Sequence, residues 1–433
     1  MLKAGFSRID VTPPLGSEIS GYFEKRYAKG VLDPLYLNAV AIGNGEKTVL
    51  LMAIDYIGIR LPYNIKIREA ISASTGVPTD HIFISALHQH TSVCIADTND
   101  KKWGAIDDDE FISILYRKFA DAAVMAINDM KDATVGTAEL EVEEPIAFVR
   151  RYFTEDGGVQ TNPTPDYKLI GRCDEADNTM RLIRIFRKDA DDIAIINFST
   201  HPDVVHGECF SADWPGFSRS YTEKKLNGVK AIFFTGCQGD SNHVDFLNRE
   251  AIRDGYEHSK HMGEVVSNAV VAVWDKTKES FGDRIFAENR IIYNKTNLEG
   301  IEDYDKCKKF KEDYEAGRLS YQPHITELAY ANRIIGLIDA KIFNPIPITV
   351  ISFGSAVMVG FGGEPFTAIA RTVRAIAPEK FVLTAVCTNG YEGYYPTIEA
   401  FEQGGYEAEG SIFTPTLESE ITETIKNIFE NIN

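Results

Sequence analysis

His81-Ile-Phe-Ile-Ser85-Ala-Leu-His88-Gln-His90-Thr-Ser92 is an apolar run that turns at once into a polar one. The first five residues read as a buried β-strand. Where an extended chain leaves a strand, residues two apart point to the same side. His88 and His90 are therefore expected to face one cavity from a rigid support. Imidazole is the commonest protein ligand for transition metals and the usual general acid or base, so this pair can supply one of each. An isolated His-x-His is equally compatible with two hydrogen-bonded structural histidines, and the other strand ends have to decide.

Four further apolar runs end in the same way. Ile193–Phe198 leads into Ser199-Thr-His201-Pro-Asp203, and Ala231–Phe234 into Thr235-Gly-Cys-Gln-Gly-Asp240-Ser-Asn242-His243. Val357–Phe361 leads into Gly362-Gly-Glu364-Pro, and Val382–Val386 into Asn389-Gly-Tyr391-Glu-Gly-Tyr394-Tyr395. Between such strands lie helical patterns, among them 64–74, 109–130, 215–226, 249–274, 326–338, 365–376 and 418–429. Further strands are expected at 37–42, 48–55, 134–142, 180–186, 284–293 and 346–352. This alternation predicts an α/β protein of layered, mixed β-sheets flanked by helices. Asp213 is a plausible cap for the helix near Pro215. The charged stretch Glu302–Asp313 reads as a solvated helix. With no repeat and no long linker, one domain over 1–433 is expected.

Composition narrows the function classes. The chain has 433 residues, 44% of them hydrophobic, which is enough for a large core and excludes disorder. Its 64 acidic and 45 basic residues give a formal charge of −19, which argues against nucleic acid as a partner. No apolar run reaches the roughly 18 residues of a membrane span. The N-terminal residues lack the apolar core of a signal peptide, so a cytoplasmic location is expected unless a leader has been removed. Six cysteines without Cys-x-x-Cys spacing read as reduced thiols.

Sites in α/β sheets gather at the carboxyl ends of strands, and these five ends bring His, Asp, Glu and Tyr together. Two histidines, a carboxylate and a further oxygen ligand suit zinc in a hydrolytic site. Such a metal polarises a carbonyl and makes hydroxide available near neutral pH. By chemical type, His90, Tyr406 and Arg150 are candidates for proton transfer and oxyanion stabilisation. Asp55 either lines the cavity or ends its strand. His206 and His243 lie near the motifs without an assigned role, while His81, His258, His261 and His324 read as surface or helix residues.

These same residues carry a family resemblance. From Gly5-Phe-Ser-Arg-Ile-Asp10-Val-Thr-Pro-Pro14 to the tail near Phe413, the chain resembles the catalytic domain of neutral/alkaline ceramidases, zinc-dependent amidases that hydrolyse the N-acyl bond of ceramide. The resemblance implies that fold and Zn²⁺ as cofactor, with His88, His201, Glu364 and Tyr394 as its ligands. It makes His90 and Tyr406 the catalytic contacts and Arg150 the contact for a polar part of the substrate, with Arg151 nearly as good a fit. Asp240 becomes a carboxylate that orients a ligand or its loop. Asn242 stands where the family has a serine, which counts against a serine nucleophile and leaves a zinc-activated water. Thr91–Ile95 replaces a glycine-rich segment, so the pocket wall differs. No C-terminal immunoglobulin-like domain is expected.

The expected function is thus zinc-dependent hydrolysis of a linear amide, with a small-molecule or lipid-like substrate. A metal-dependent hydrolase of esters, acylated sugars or phosphoesters is the first alternative. A non-catalytic binding protein on the same fold is the second.

Overall fold

Largely apolar strands near the N-terminus build an antiparallel meander in the middle of the larger sheet. The computed structural model describes residues 1–96 and 108–432. The meander comprises β1 (Leu2–Asp10), β2 (Tyr36–Gly43) and β3 (Thr48–Ile54), and β4 (Ile82–Ala86) lies parallel to β3. On the other flank of β1, β5 (Lys131–Glu141), β6 (Thr179–Arg187) and β7 (Asp192–Phe198) run antiparallel, and β8 (Val229–Thr235) lies parallel to β7. The order across this eight-stranded sheet is β8-β7-β6-β5-β1-β2-β3-β4. A four-stranded sheet follows in the order β9 (Ile285–Lys295), β10 (Phe343–Phe353), β11 (Ala356–Phe361) and β12 (Phe381–Ala385), with only β11 and β12 parallel.

Parallel neighbours cannot be joined by a tight turn and require a crossover. Three helices serve: Leu61–Thr75 between β3 and β4, Asp213–Lys225 between β7 and β8, and Thr367–Ile376 between β11 and β12. Pro62 in the first turn and Gly76, left-handed at φ +76°, bound the first of them.

Both faces of the large sheet are covered. In β2, Val40 and Ile42 enter the core shared with the second sheet, while Leu37, Ala39 and Ala41 face the core under helices Leu61–Thr75 and Asp109–Asn128. Ile351, Met358 and Leu383 carry the shared core into the second sheet, and within that core Phe83 of β4 meets Phe234 of β8 edge-on at 5.8 Å. The outer face of that sheet, including Ile348, Val350 and Val359, packs on helices Thr367–Ile376 and Leu417–Phe429. Helix, sheet, sheet and helix therefore form four layers, the layered α/β class expected. Among the described residues no helix is long and apolar enough to cross a membrane.

β1 is not among the expected strands, because Lys3, Ser7, Arg8 and Asp10 obscure its apolar pattern, although it lies in the middle of the sheet. A small sheet in which Arg151–Thr154 lies between Val159–Thr161 and Leu169–Arg172 is also absent from the sequence expectation. The long helix starts at Tyr256 rather than 249, after Gly255 at φ +83°, and the helix expected from 365 starts at Thr367. Asp213 is not an N-cap: it lies inside the first turn at φ +50°. Its carboxylate accepts instead from the N–H groups of Val204, Val205 and Trp214 and from the Ser259 hydroxyl. The charged stretch is the helix Tyr304–Glu315, with Cys307 its one buried residue.

Asp55, left open between two roles, ends β3 and fastens the site to the fold. Its two oxygens accept from Arg219 at 2.8 and 2.6 Å, deep in the interior. Oδ2 also accepts from the Tyr36 N–H, and Oδ1 from the side chain of Gln89, which stands between the two histidines. Removing one partner of a buried ion pair leaves the other charge uncompensated and costs about 3–5 kcal/mol. Asp55→Ala is expected to lose stability of that order in denaturant unfolding, and a change within ~0.5 kcal/mol would contradict this role for the pair.

Candidate metal centre

Each predicted donor follows the carboxyl end of a strand that belongs to a parallel pair: β4 for His88, β7 for His201, β11 for Glu364 and β12 for Tyr394. Beyond β11 and β12, Glu364-Pro365 and Tyr394-Tyr395 form a second short parallel ladder in which Glu364 pairs with Tyr394. The Glu364 N–H donates to Gly393 O at 2.9 Å. This ladder fixes where the carboxylate starts.

Strand alternation does not explain the His88–His90 pair. The strand ends at Ala86, and His88 adopts φ +75°, a left-handed conformation that a non-glycine residue takes up only where its surroundings impose it. The His88 N–H donates to Tyr56 O and that of His90 to Pro202 O. This turn, not an extended chain, brings the two rings together at 5.1 Å between centroids.

At the centre, His88 Nε2 and His201 Nε2 lie 3.1 and 3.2 Å from the same oxygen, Glu364 Oε2. All three residues are buried. His88 Nδ1 bonds Ile57 O at 2.9 Å, and His201 Nδ1 bonds the carbonyls of Gln238 and Ser241 at 2.9 and 3.0 Å. A carbonyl can only accept, so each Nδ1 carries a proton, and each ring in its neutral form presents the Nε2 lone pair. Burial, aided by the charge of Arg150, pulls the His201 pKa down to about 4. Burial also pushes the Glu364 carboxyl upward, but His88 and His201 outweigh it and hold it well below the usual range. Two imidazole nitrogens and a carboxylate oxygen thus meet at one buried point. With the rings neutral, this is the donor set that Zn²⁺ requires, and the Nδ1–carbonyl bonds fix the tautomers.

His90 adjoins this cluster, and the donor nitrogens of His88, His90 and His201 fall within 4.8 Å of one another. Neither of its ring nitrogens has a hydrogen bond, although Nδ1 lies 3.5 Å from Asp203 Oδ1. Burial and then His88 lower its pKa well below the ordinary value. The segment 20–26 straps it in place. Tyr22 packs on the ring, Arg26 donates to His90 O at 2.7 Å, and a Cβ on Gly21 would meet Nδ1. Tyr22 and Arg26 were not legible in the sequence, where the only signal of this segment is Gly21, at φ +110°, while Asp203 lies in the strand-end motif of His201.

The Tyr394 ring is tilted against His201 at 6.4 Å and meets Tyr406 at 5.5 Å. Burial raises the pKa of both phenols, so both keep their protons at neutral pH. Arg150 lies over the two rings, 5.4 and 5.7 Å from their centroids, with Tyr394 as a hydrogen-bond partner. Its other donors serve the protein: Nε reaches Glu407 and one Nη reaches Gly239 O, both at 2.8 Å. Arg151 shares the same Glu407 carboxylate. Asp240 holds a loop rather than a donor, accepting from the N–H and hydroxyl of Thr367 at the start of the crossover helix. Asn242 donates to Asn162 and accepts from the Val244 N–H.

His88, His90, Glu364, Tyr394 and Tyr406 line one cleft of about 960 Å³, open mouth included, whose far wall comes from helix Ile325–Gly336 and residues 410–412. A single site predicts that the metal-free protein takes up one equivalent of Zn²⁺ with a rise in Tm, and that His88→Ala and Glu364→Ala abolish the uptake. Equal uptake by the variants would place the metal elsewhere.

No family model matches the chain, and no curated protein does. Solved structures do. The neutral ceramidase from Pseudomonas aeruginosa superposes with a TM-score of 0.73 at 14% identity, over 98% of this chain and 73% of that one. A second structure, described as ceramidase complexed with C2, gives 0.75 at 14% identity, over 99% and 75%. What this likeness shows is a ceramidase-like fold.

Proposed function

We propose that the chain is a zinc-dependent hydrolase of linear amides, with His88, His201, Glu364 and Tyr394 holding the metal. The observation that carries this reading is the convergence of His88 Nε2 and His201 Nε2 on Glu364 Oε2. The likeness to a neutral ceramidase supports the bond class that the sequence resemblance implies, an N-acyl amide. When bound, the metal would polarise the scissile carbonyl and lower the pKa of water.

The chain's own residues supply the rest. Neutral His90, with both ring nitrogens unbonded, accepts the proton of the attacking water and returns it to the leaving amine. Tyr406 donates its phenol hydrogen to the oxygen on which charge develops. Arg150 steadies both phenols from behind and reaches the polar part of the substrate through them. Asn242, bonded within its own loop, takes no part.

A second reading has an observation of its own, since His90 lies within ligand range of His88 and His201. His90→Ala separates the two. In the proposed mechanism it keeps one equivalent of zinc and loses about 10²–10⁴ in kcat on an N-acyl amide; loss of zinc would make His90 a ligand. The lowered pKa of His90 keeps the base neutral at mildly acidic pH. The acid limb of kcat/KM should therefore lie below the ordinary histidine value of about 6.5. A limb at or above it would exclude His90 as that base.

A further inference from the structure

The cleft holds a cation that the proposed chemistry does not use. Arg333, on helix Ile325–Gly336, is 5% exposed and lines the same cleft as His88 and Glu364. Its Nε donates to Glu409 O at 2.7 Å and its Nη1 to Glu299 O at 2.9 Å. Both acceptors are neutral carbonyls. The carboxylates of Glu409 and Glu299 act on it from farther off, and among the described residues none forms an ion pair with it. The other arginine of the cleft differs: Arg60 lies 3.5 Å from Glu392 and donates to Tyr391 O. The guanidinium also lies 5.3 Å from the Tyr330 ring centroid, but a buried guanidinium without a carboxylate ion pair is costly, and among the described residues its second terminal nitrogen makes no hydrogen bond. A planar carboxylate matches that donor edge. A neutral amide would bring no countercharge to it.

We propose that Arg333 is an anion subsite and that the substrate is an amide carrying a carboxylate, such as an N-acyl amino acid or the monoamide of a dicarboxylic acid. This rests on the amidase reading for the bond cleaved, but not for the binding. The test is calorimetry of the full chain, with and without zinc, against N-octanoylglycine and N-methylsuberamic acid and the methyl ester of each. At least one acid should bind about tenfold or more tighter than its ester, as a charge-assisted hydrogen bond allows. R333Q should lose that preference and R60Q should keep it. N332D, which adds a negative charge to the same cleft wall from a half-buried position, should lose it too and covers the case in which R333Q does not fold. Equal binding of acid and ester by the unmodified chain overturns the proposal, as does a preference that survives in folded R333Q or in N332D. An acid preference without turnover of any amide supports the subsite and overturns the hydrolase reading. Turnover without the preference does the reverse.

Discussion

Two imidazole nitrogens and a carboxylate oxygen share one buried point, and the carbonyls behind the rings determine what they can do there. Were either Nδ1 free to accept, that ring could turn its proton inward and satisfy Glu364 with an ordinary hydrogen bond. Ile57 O, Gln238 O and Ser241 O remove this option by accepting from Nδ1. The centre is then a set of lone pairs in a low-dielectric interior, where their mutual repulsion is poorly screened. A divalent cation would relieve the repulsion. Asp55 and Gln89 hold the loop between the histidines, and Asp240 holds the helix start beyond Glu364. Much of the surrounding polar network thus serves to keep three atoms where they are.

The topology explains why these donors can meet although they are scattered from residue 88 to residue 364. A parallel pair places two carboxyl ends side by side and sends the chain back through a helix. The fold uses this device three times, at both edges of the large sheet and once in the small one. Asn197 and Asn389 then stitch the sheets together, donating across to Thr384 O and Ile82 O. Carboxyl ends from both sheets consequently open on one cleft. The same device makes the region demanding on the backbone, with His88, Asp213, Cys387 and Asn389 all at positive φ. Strain of this kind is stable only where packing over-determines it.

His88, His201 and Glu364 were legible in the sequence because each follows an apolar run at once, and such runs announce buried strands. Among Tyr391, Tyr394 and Tyr395 the sequence could not separate the roles by pattern. The ladder that pairs Glu364 with Tyr394 is a long-range contact and leaves no local trace. Arg150 and Arg151 were equally hard to tell apart, and both turn out to bond Glu407. Arg333 was invisible for another reason: it sits in an amphipathic helix, where an arginine reads as a solvated residue. Only the tertiary fold buries it against Glu299 and Glu409. β1 escaped because its polar residues find partners far away, as Arg8 does in Glu223.

The central claim is that imidazole nitrogen and carboxylate oxygen, not thiolate, hold a metal at the meeting point of these strand ends. Cys387 tests the alternative, because its sulfur lies 3.7 Å from His88 Nδ1. Burial raises its pKa well above the ordinary thiol value. X-ray absorption at the zinc edge of the zinc-loaded protein measures the choice directly. The account predicts a first shell of nitrogen and oxygen at about 2.0–2.2 Å with the outer-shell signature of imidazole. A sulfur shell at about 2.3 Å, or a shell of oxygen without imidazole, would contradict it.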